Sequence, residues 1–394
     1  MSRLRYLTAG ESHGPALVAT CEGLPAGLTV LEEQLDAELA RRRSGYGRSP
    51  RMDFEVDKLE LLAGLRHGRT LGSPVSVLIH NTEWPKWTRA MSPAPIDDPD
   101  GLADTGRGAP LTRPRPGHAD LTAALKYGYS DVRDALERAS ARETAARVVV
   151  GTMAKLLLAE VGVTVVSHVV SIGGVTTSHP SISPGPGDLA TVDADPVRCL
   201  DAEASVRMQA AIDMAKADND TLGGVIEVIA HGLPPGLGSH VHWDRKLDAR
   251  LAAACLSVQA MKGVEFGLGF GAAAVPGSQA HDEILWADGF TRPTDRAGGI
   301  EAGMSTGQPL TLRVAMKPIS SLPRPLRTVD LGTHDEAVAI TQRSDACAVP
   351  RAGVVLEAVV AIELADALLE KTGGDTVVEV VRNLRGYLDD VADR

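Results

Sequence analysis

The stretch ALVATCEGLPAGL at 16–28 is matched by VIEVIAHGLPPGL at 225–237. Each copy begins with an apolar run typical of a strand and ends in Gly-Leu-Pro-x-Gly-Leu, where glycine and proline indicate a turn. A segment with leucines four residues apart follows each copy, LDAELA at 35–40 and LDARLA at 247–252, and this spacing indicates one face of a helix. Strand, turn and helix therefore occur twice in the same order. Two copies at so long a period predict a duplicated fold half rather than a solenoid.

Further strand and helix patterns extend this frame along the chain. Alternating or apolar runs predict strands at 4–8, 73–80, 163–170 and 310–316. Apolar residues at helical spacing predict a long helix from about 131 to 159 and a shorter one at about 353–371. Stretches rich in proline and glycine indicate loops, rather than a flexible interdomain linker, at 92–118, 178–187 and 317–327. We therefore expect one α/β (α+β) domain over 1–394, with related halves near 1–150 and 210–340.

The composition narrows the class of protein. The 394 residues are 44% hydrophobic and 23% charged, close to the globular average, whereas aromatic residues make up only 3%. A net charge of −11 argues against nucleic acid or an anionic membrane as the main partner. There is no apolar run long enough to span a membrane, no signal-peptide pattern at the N-terminus and no CxxC pair among the four cysteines. These features predict a soluble cytoplasmic protein with reduced thiols.

Two glycine-flanked motifs carry histidines. GESHG at 10–14 formally matches the nucleophile elbow GxSxG, but an elbow needs several preceding strands and only one is predicted here. His13 is left between glycines, where backbone can approach a ligand closely. In RPRPGHAD at 113–120, rigid Arg-Pro pairs precede His118, and histidine can donate or accept a proton near neutral pH. A turn histidine without a role and a solvated basic loop remain the alternatives, and neither motif has the ligand spacing of a metal site.

Arginines are concentrated in a few segments of this acidic chain. Five fall within 41–51, three more lie in the loop around 107–115, and Arg138 and Arg142 share a helix face because they are four residues apart. A solvated, salt-bridged surface is the alternative for that helix. Guanidinium groups suit phosphates and carboxylates, so the clusters predict a ligand with several anionic groups.

Two polar segments lie beside apolar elements in the second half, KPISS at 317–321 and QRSDACAVPR at 342–351. In the second of these, Asp345 stands between Arg343 and Arg351. It is either part of a structural ion pair or an acid–base group that neighbouring cations keep ionised.

These motifs resemble the chorismate synthase family. Three of its motifs occur in order, GESHGPALVATCEGLPAG at 10–27, GHADLTAALKYGYSDVRDALERASARETAARV at 117–148 and QRSDACAVP at 342–350, and the similarity covers essentially the whole chain. The resemblance implies a β-α-β sandwich with internally duplicated halves, usually a homotetramer. It also implies a lyase that converts 5-enolpyruvylshikimate 3-phosphate into chorismate and phosphate by anti 1,4-elimination. This is the last step of the shikimate pathway and depends on reduced FMN.

The resemblance also implies roles for individual residues. Arg42 and Arg48 match positions assigned to substrate or nicotinamide-phosphate contacts, and we expect Arg115 beside them. The positions that match FMN contacts are Arg138, Ala139, Ser140, Gln259, Ala260, Gly303, Lys317, Pro318, Ile319, Ser320, Ser321 and Arg343. Because aromatic residues are scarce, we expect FMN to be held mainly by backbone, arginine and small residues.

Three side chains are predicted to be catalytic. His118 would protonate the leaving phosphate, whose second pKa of ~6 is close to that of histidine. Reduced flavin would donate electron density and take the C6 proton at N5, from which Asp345 would receive it. His13 would stabilise the anionic reduced flavin. Each acid–base group is worth ~10²–10⁴-fold in rate.

Departures from the family and rival functions are few. Arg351 stands where many members would carry alanine, and Ser321 where threonine is common. The chain has no extra length for a flavin reductase, so we expect an external reductase, with NADPH used only indirectly. The alternatives are an NADPH-using flavin oxidoreductase on the same frame and a degenerate anion-binding protein, which the intact His13, His118 and Asp345 argue against.

Overall fold

The structure is a computed structural model that describes residues 3–48, 57–178, 183–341 and 345–394. Its α-helices are α1 (Glu32–Arg43), α2 (Pro99–Ala103), α3 (Asp120–Tyr127), α4 (Arg133–Arg138), α5 (Thr144–Ala159), α6 (Leu189–Ala194), α7 (Ala202–Ala217), α8 (Leu247–Leu256), α9 (Gly277–Ala280), α10 (Val349–Thr372) and α11 (Val377–Ala392). Its strands are β1 (Arg5–Ala9), β2 (Ala16–Glu22), β3 (Lys58–Ala63), β4 (Leu65–Arg66), β5 (Arg69–Thr70), β6 (Val75–His80), β7 (Thr164–Ile172), β8 (Val175–Thr176), β9 (Gly224–His231), β10 (Met261–Phe266), β11 (Leu285–Trp286), β12 (Phe290–Thr291), β13 (Ile300–Glu301), β14 (Met304–Ser305), β15 (Leu310–Met316), β16 (Arg327–Val329) and β17 (Glu336–Val338).

Two antiparallel sheets form the outer layers. The first has the strand order β1-β2-β6-β3 and the second β10-β15-β9-β7-β8. Buried and partly exposed side chains alternate along β2 and β6, and the register pairs Leu17 with Ile79 and Ala19 with Val77. Alternation of this kind places one face of an antiparallel sheet on the core.

The two sheets are built by the same sequence of connections. In the first, β1 pairs with β2, α1 follows, β3 forms the edge, and β6 inserts between β2 and β3. In the second, β7, β9, α8, β10 and β15 repeat that order, with β8 added at the far edge. The two motif copies supply β2 with α1 and β9 with α8. This confirms the α/β fold with internally duplicated halves.

Two long helices fill the space between the sheets. Helix α10 packs on β7, β9 and α8, while α5 packs on β2 and α1, and α5 and α10 pack on each other. Almost every side chain of α10 through Leu369 is buried, as expected for a helix that is surrounded on all sides. Where the two helices meet, an added Cβ on Gly151 would lie 2.3 Å from the Cβ of Ala358. The architecture is therefore a β-α-β sandwich with a close helix crossing at its centre.

The helix predicted at 131–159 is interrupted in the structure. Helix α4 ends at Arg138, a 3-10 turn spans Ala141–Glu143, and α5 begins at Thr144. Ser140 causes the break, because its backbone is extended and its hydroxyl accepts a hydrogen bond from the backbone N–H of Arg142. Serine competes with the helical backbone in this way and favours caps over helix interiors.

The remaining predicted elements within the described residues agree with the structure apart from their ends, whereas the loop predicted at 178–187 lies in part outside those residues. The runs at 73–80, 163–170 and 310–316 form β6, β7 and β15, and the helix predicted at 353–371 lies within α10. The proline- and glycine-rich stretch at 92–118 contains the one-turn helix α2 but is otherwise made of turns and loops. Within the described ranges, no helix has both the length and the apolar character needed to cross a membrane.

Candidate active site

A cavity of about 520 Å³ lies where the predicted motifs of both halves meet. Its volume is within the ~300–1,000 Å³ typical of small-molecule sites. The residues that line it are Ser12, His13, Arg42, Arg115, Gly117, His118, Ala119, Leu136, Ala139, Ser140, Ala141, Arg142, Gln259, Ala260, Met316, Lys317, Ile319, Ser320, Ser321, Asp345, Ala348 and Arg351.

The cavity brings together most of the residues that the sequence singled out. The three predicted catalytic side chains, His13, His118 and Asp345, all line it, and so do Arg42 and Arg115. Of the positions matched to FMN contacts, those in the lining are Ala139, Ser140, Gln259, Ala260, Lys317, Ile319, Ser320 and Ser321. These groups are separated by up to about 330 residues of chain, from His13 to Asp345, so only the fold makes them neighbours.

Other predicted site residues lie elsewhere. Arg48 donates to the carbonyl of Arg43 and is outside the lining. Arg138 donates to the Thr8 carbonyl at 2.9 Å and therefore lies against β1.

Gly303 and Pro318 are also outside the lining. Gly303 occupies the turn between β13 and β14, where an added Cβ would meet Lys246. Arg343 is not among the residues that the structure describes.

His118 is held by a buried carboxylate. Asp120 opens α3, is fully buried, and contacts Nδ1 of His118 through Oδ1. Its Oδ2 accepts from the backbone N–H of Arg115 at 3.0 Å and from Nε at 2.9 Å. Burial alone would raise the pKa of Asp120, but hydrogen bonds from His118 and Arg115 outweigh it and hold that pKa well below its usual range.

The tautomer of His118 follows from these contacts. An ionised carboxylate can only accept, so Nδ1 carries the proton that faces Asp120. Nη2 of Arg115 lies 3.0 Å from the same Nδ1 and donates to Oδ1 of Asp120 at 3.2 Å. The described hydrogen bonds leave Nε2 of His118 for a ligand in the cavity.

His13 is held by a second buried carboxylate. Glu137 of α4 accepts through Oε2 from Nδ1 of His13 at 2.8 Å, from the backbone N–H of His13 at 3.0 Å and from the hydroxyl of Ser12 at 2.5 Å. Burial would raise the pKa of Glu137, but the bonds from His13 and Ser12 lower it below its usual value. Trp87 stacks on the imidazole with ring centroids 4.2 Å apart. The ring of His13 is thus fixed both at its edge and on its face.

The lining is rich in positive charge. Its cations are Arg42, Arg115, Arg142, Lys317 and Arg351, and among the described residues of the lining Asp345 is the only acid. Each cation is tied to the protein, so its position is set before any ligand binds. Such preorganised guanidinium and ammonium groups suit phosphate and carboxylate ligands.

Arg42 and Lys317 show how these cations are placed. Arg42 donates from Nε to the hydroxyl of Thr144 at 2.9 Å and from Nη2 to the Ala141 carbonyl at 3.0 Å. Nζ of Lys317 donates to the Gly117 carbonyl at 2.6 Å, which joins the segment after β15 to the His118 loop. Burial, and then the nearby Lys262, lower the pKa of Lys317.

Asp345 lies four residues before the start of α10 and pairs with Arg351. Its segment is fixed on both sides: the backbone N–H of Ala346 donates to Gly47 at 2.9 Å, and its carbonyl accepts from Leu222 at 2.8 Å. The structure thus contains the ion pair that the sequence left as one of two alternatives. Because Asp345 also lines the cavity, the pair does not remove the acid–base alternative.

The structure gives three polar residues a place at the site that the sequence analysis did not assign to them. Arg142 was expected to share a helix face with Arg138, but the break at Ser140 turns it inward to Asn81 and Asp57. Glu137 has no local signal, since 124 residues separate it from His13. Asp120 had one, because it lies two residues after His118 in the predicted loop.

A flavin phosphate and ring fit this donor set. The five cations of the lining can bind anionic groups. Ala260, which also lines the cavity, has a backbone φ of +69°, a value uncommon for a residue with a side chain. The buried Oε1 of Gln259 has no hydrogen-bond partner among the described residues, although its Nε2 donates to Glu143 at 3.3 Å. A buried acceptor of this kind favours a ligand that brings a donor.

Comparisons with known proteins agree with one another. The family model described as chorismate synthase matches residues 4–369. The chorismate synthase of Salinispora tropica is 63% identical over 388 residues, which cover 98% of each chain. That of Thermobifida fusca is 61% identical over 393 residues, covering 99% of this chain and 100% of the relative. A crystal structure of a chorismate synthase is 40% identical and has a TM-score of 0.79 over 99% of both chains.

Proposed function

The chain belongs to the chorismate synthase family, and from this premise we propose that its cavity binds 5-enolpyruvylshikimate 3-phosphate together with reduced FMN. The activity is that of a carbon–oxygen lyase. The substrate loses phosphate by anti 1,4-elimination and becomes chorismate, in the last step of the shikimate pathway toward the aromatic amino acids. The observation that carries the proposed site is the convergence of His13, His118 and Asp345 on one cation-lined cavity.

The charge of the cavity supports binding of these two ligands at once. The substrate carries one phosphate and two carboxylates, and FMN adds a second phosphate. The lining offers five cations, of which Arg115, Arg142 and Arg351 also pair with the carboxylates of Asp120, Asp57 and Asp345. A hydrogen bond to a charged group contributes ~1.5–3 kcal/mol, so several of these contacts hold both anions without aromatic stacking.

His118 is proposed to protonate the leaving phosphate. Its Nδ1 is engaged by Asp120, and Nε2 is the nitrogen left for the substrate. Arg115 lies beside it and is held by the same carboxylate, so a phosphate that reaches His118 also meets a guanidinium. Protonation makes the leaving group a weaker base, which lowers the barrier to breaking the C3–O bond.

His13 and Asp345 are proposed to serve the flavin side of the site. Reduced FMN, when bound, supplies electron density to the allylic system of the substrate. Asp345 is the carboxylate in the lining that can take up the proton lost from C6. His13, fixed by Glu137, is a hydrogen-bond donor for an anionic ring edge. Ala139, Ser140, Gln259, Ala260 and the segment 317–321 complete the proposed flavin cradle.

An anaerobic reaction tests the proposal. Protein, chemically reduced FMN and 5-enolpyruvylshikimate 3-phosphate are mixed without NADPH, and chorismate and phosphate are followed together. We expect equal amounts of both products over many turnovers with no net loss of reduced flavin. A flavin oxidoreductase would instead oxidise one reduced flavin, a two-electron donor, for each product formed, and would need NADPH to continue. Phosphate release without chorismate, or no reaction at all, would refute the proposed function.

The assembly and the supply of reduced flavin are further parts of the proposal. We propose a cytoplasmic homotetramer that receives reduced FMN from a separate reductase, with NADPH used only by that reductase. Exposed apolar side chains on the β11–β12 hairpin, Trp286 and Phe290 among them, support an assembled form. Light scattering should give four times the chain mass of 41.4 kDa, whereas a monomer mass would refute the tetramer.

A further inference from the structure

We propose that Asp120 is a positioning residue for the elimination: it fixes the Nδ1-protonated form of His118 and keeps the ring able to carry a positive charge, while it orients Arg115 for the same phosphate. This inference rests on the proposed role of His118, but it makes a statement about the protein alone. Asp120 touches no ligand in this scheme, since it lies behind the two residues that line the cavity.

Asp120 holds both His118 and Arg115 through hydrogen bonds. The carboxylate is fully buried and has four hydrogen-bond contacts, three from Arg115 and one from His118. Gly117, with a φ of +78°, makes the turn that folds His118 back over the start of α3. The backbone N–H of His118 closes the loop on the Arg115 carbonyl at 3.3 Å. Loop, histidine and arginine are thus organised around one carboxylate.

The same carboxylate sets the chemistry of the ring. A negative group at Nδ1 stabilises the doubly protonated imidazole, which is the form that can give a proton from Nε2. Two cations beside this loop, Arg115 next to the ring and Lys317 on the Gly117 carbonyl, oppose that form. At its other end Asp330 accepts from the hydroxyl of Thr112 and faces Arg113. Across the cavity lie Arg42, Arg142, Arg351, His13 and Asp345. Asp120 is the carboxylate in direct contact with His118 that offsets this positive field.

Replacing Asp120 by asparagine separates charge from shape. The amide oxygen can still accept from Arg115, but its NH2 must face Nδ1 of His118, which then becomes an acceptor. The ring is left neutral, with its proton on Nε2, and is a poor acid. The equivalent change in the Ser-His-Asp triad of serine proteases costs about 10⁴-fold in kcat through the wrong tautomer. Here we expect Asp120→Asn to lower kcat by ~10²–10⁴-fold, the range for loss of general acid catalysis.

The decisive measurement is made on the protein without ligands. Deuterium exchange at C2 of histidine rings, read by mass spectrometry across a pH series, reports the protonation of each ring. Trypsin does not cleave before proline, so His118 is the only histidine in the peptide 108–126, and His13 is the only one in the peptide 6–41. In Asp120→Asn, the pH midpoint of C2 exchange of His118, read in peptide 108–126, should fall by at least ~1 unit, as expected for loss of an adjacent opposite charge. The midpoint of peptide 6–41 should stay within ~0.3 units in the same sample.

Two further variants complete the test. Asp120→Glu keeps the negative charge, so the exchange midpoint of His118 should stay close to that of the wild type. Its kcat can still fall, because the longer side chain shifts His118. Glu137→Gln is the matched control, because it removes the carboxylate of the other histidine and should leave peptide 108–126 unchanged. If Asp120→Asn does not fold, Asp120→Ser offers a small acceptor at the same position and carries the same prediction.

The outcomes are distinct. A lower midpoint in peptide 108–126 alone, with Asp120→Glu unchanged and kcat lowered in Asp120→Asn, supports the proposal, whereas a wild-type kcat in Asp120→Asn overturns it. An unchanged midpoint in Asp120→Asn overturns it, even if activity is lost. Failure of the anaerobic reaction in the wild type would overturn the proposed function instead, and the exchange data would be unaffected.

Discussion

At the crossing of α5 and α10, we expect Gly151→Ala to destabilise the protein, although helix propensity alone predicts that it stabilises it. Replacing glycine by alanine inside a helix normally stabilises a protein by ~0.8–1.0 kcal/mol. At Gly151, however, the new Cβ would lie 2.3 Å from the Cβ of Ala358, 2.5 Å from its Cα and 2.8 Å from its carbonyl oxygen. Ordinary contacts are 3.4–4 Å, so the two helices would have to separate by roughly 1 Å.

Separating α5 from α10 would disturb the buried side chains between the two helices. Overpacking of a core by a methyl group costs typically ~1–3 kcal/mol. Because backbone atoms of α10 are in the way, we expect the upper part of this range. After the gain in propensity, Gly151→Ala should reduce the free energy of unfolding by ~1–2 kcal/mol. Thermal or urea unfolding, followed by circular dichroism, measures the change.

Two variants make this prediction sharp. Gly386 in α11 has no atom within 4 Å of an added Cβ, so Gly386→Ala should show the stabilisation expected from propensity alone. Ala358→Gly removes the closest atom, and Gly151→Ala combined with Ala358→Gly should therefore lose less than the sum of the two single changes. If Gly151→Ala is as stable as Gly386→Ala, or if the double variant is strictly additive, the close crossing is wrong.

Three other perturbations have defined outcomes. Glu357 is fully buried and pairs with three cations, so Glu357→Ala should cost ~3–5 kcal/mol of unfolding free energy, whereas Glu370→Ala, at a more exposed pair, should cost under ~1 kcal/mol. Burial would raise the pKa of Glu357, but its cationic partners hold it well below the usual value. The difference in unfolding free energy between the wild type and Glu357→Ala should therefore have its full size above about pH 5 and decrease as the pH falls below about 4. A difference in urea unfolding that does not change with pH would contradict this. Burial raises the pKa of Cys347 to about 11, so the thiol should react with Ellman's reagent only after unfolding, and rapid reaction of the native protein would contradict its placement. Arg42→Ala should raise KM for the substrate by ~10–100-fold through loss of a charged contact, while Arg48→Ala, outside the lining, should change it less; equal effects in steady-state assays would place Arg48 in the site.

The sequence predicted the frame of the molecule because that information is local. Strand, turn and helix at each motif copy are set by apolar spacing and by the Gly-Leu-Pro-x-Gly-Leu turn, and they appear as β2 with α1 and β9 with α8. The order of strands within each sheet could not be predicted in this way. That β6 inserts between β2 and β3 depends on packing between distant segments, which no local pattern encodes.

The site could be predicted in part for the same reason. His13, His118 and Asp345 stand in recognisable motifs, so the sequence alone identifies them as candidates. Glu137 could not, because its partnership with His13 exists only after α4 docks beside the first sheet. Arg138 and Arg142 show the limit of helical spacing. Ser140 lies between them and breaks the helix, and the two guanidinium groups have different partners, the Thr8 carbonyl for Arg138 and Asn81 for Arg142.

The place of α10 in the chain has a consequence for synthesis on the ribosome. Helix α5 ends at Ala159 and its partner α10 is complete only at Thr372. At ~5–20 residues per second, roughly 10–40 s pass between the emergence of the two. During that interval the first sheet and α5 have no partner for the helix face marked by Gly151. The nascent first half therefore presents an apolar surface that a chaperone can bind until α10, in about the last eighth of the chain, covers it.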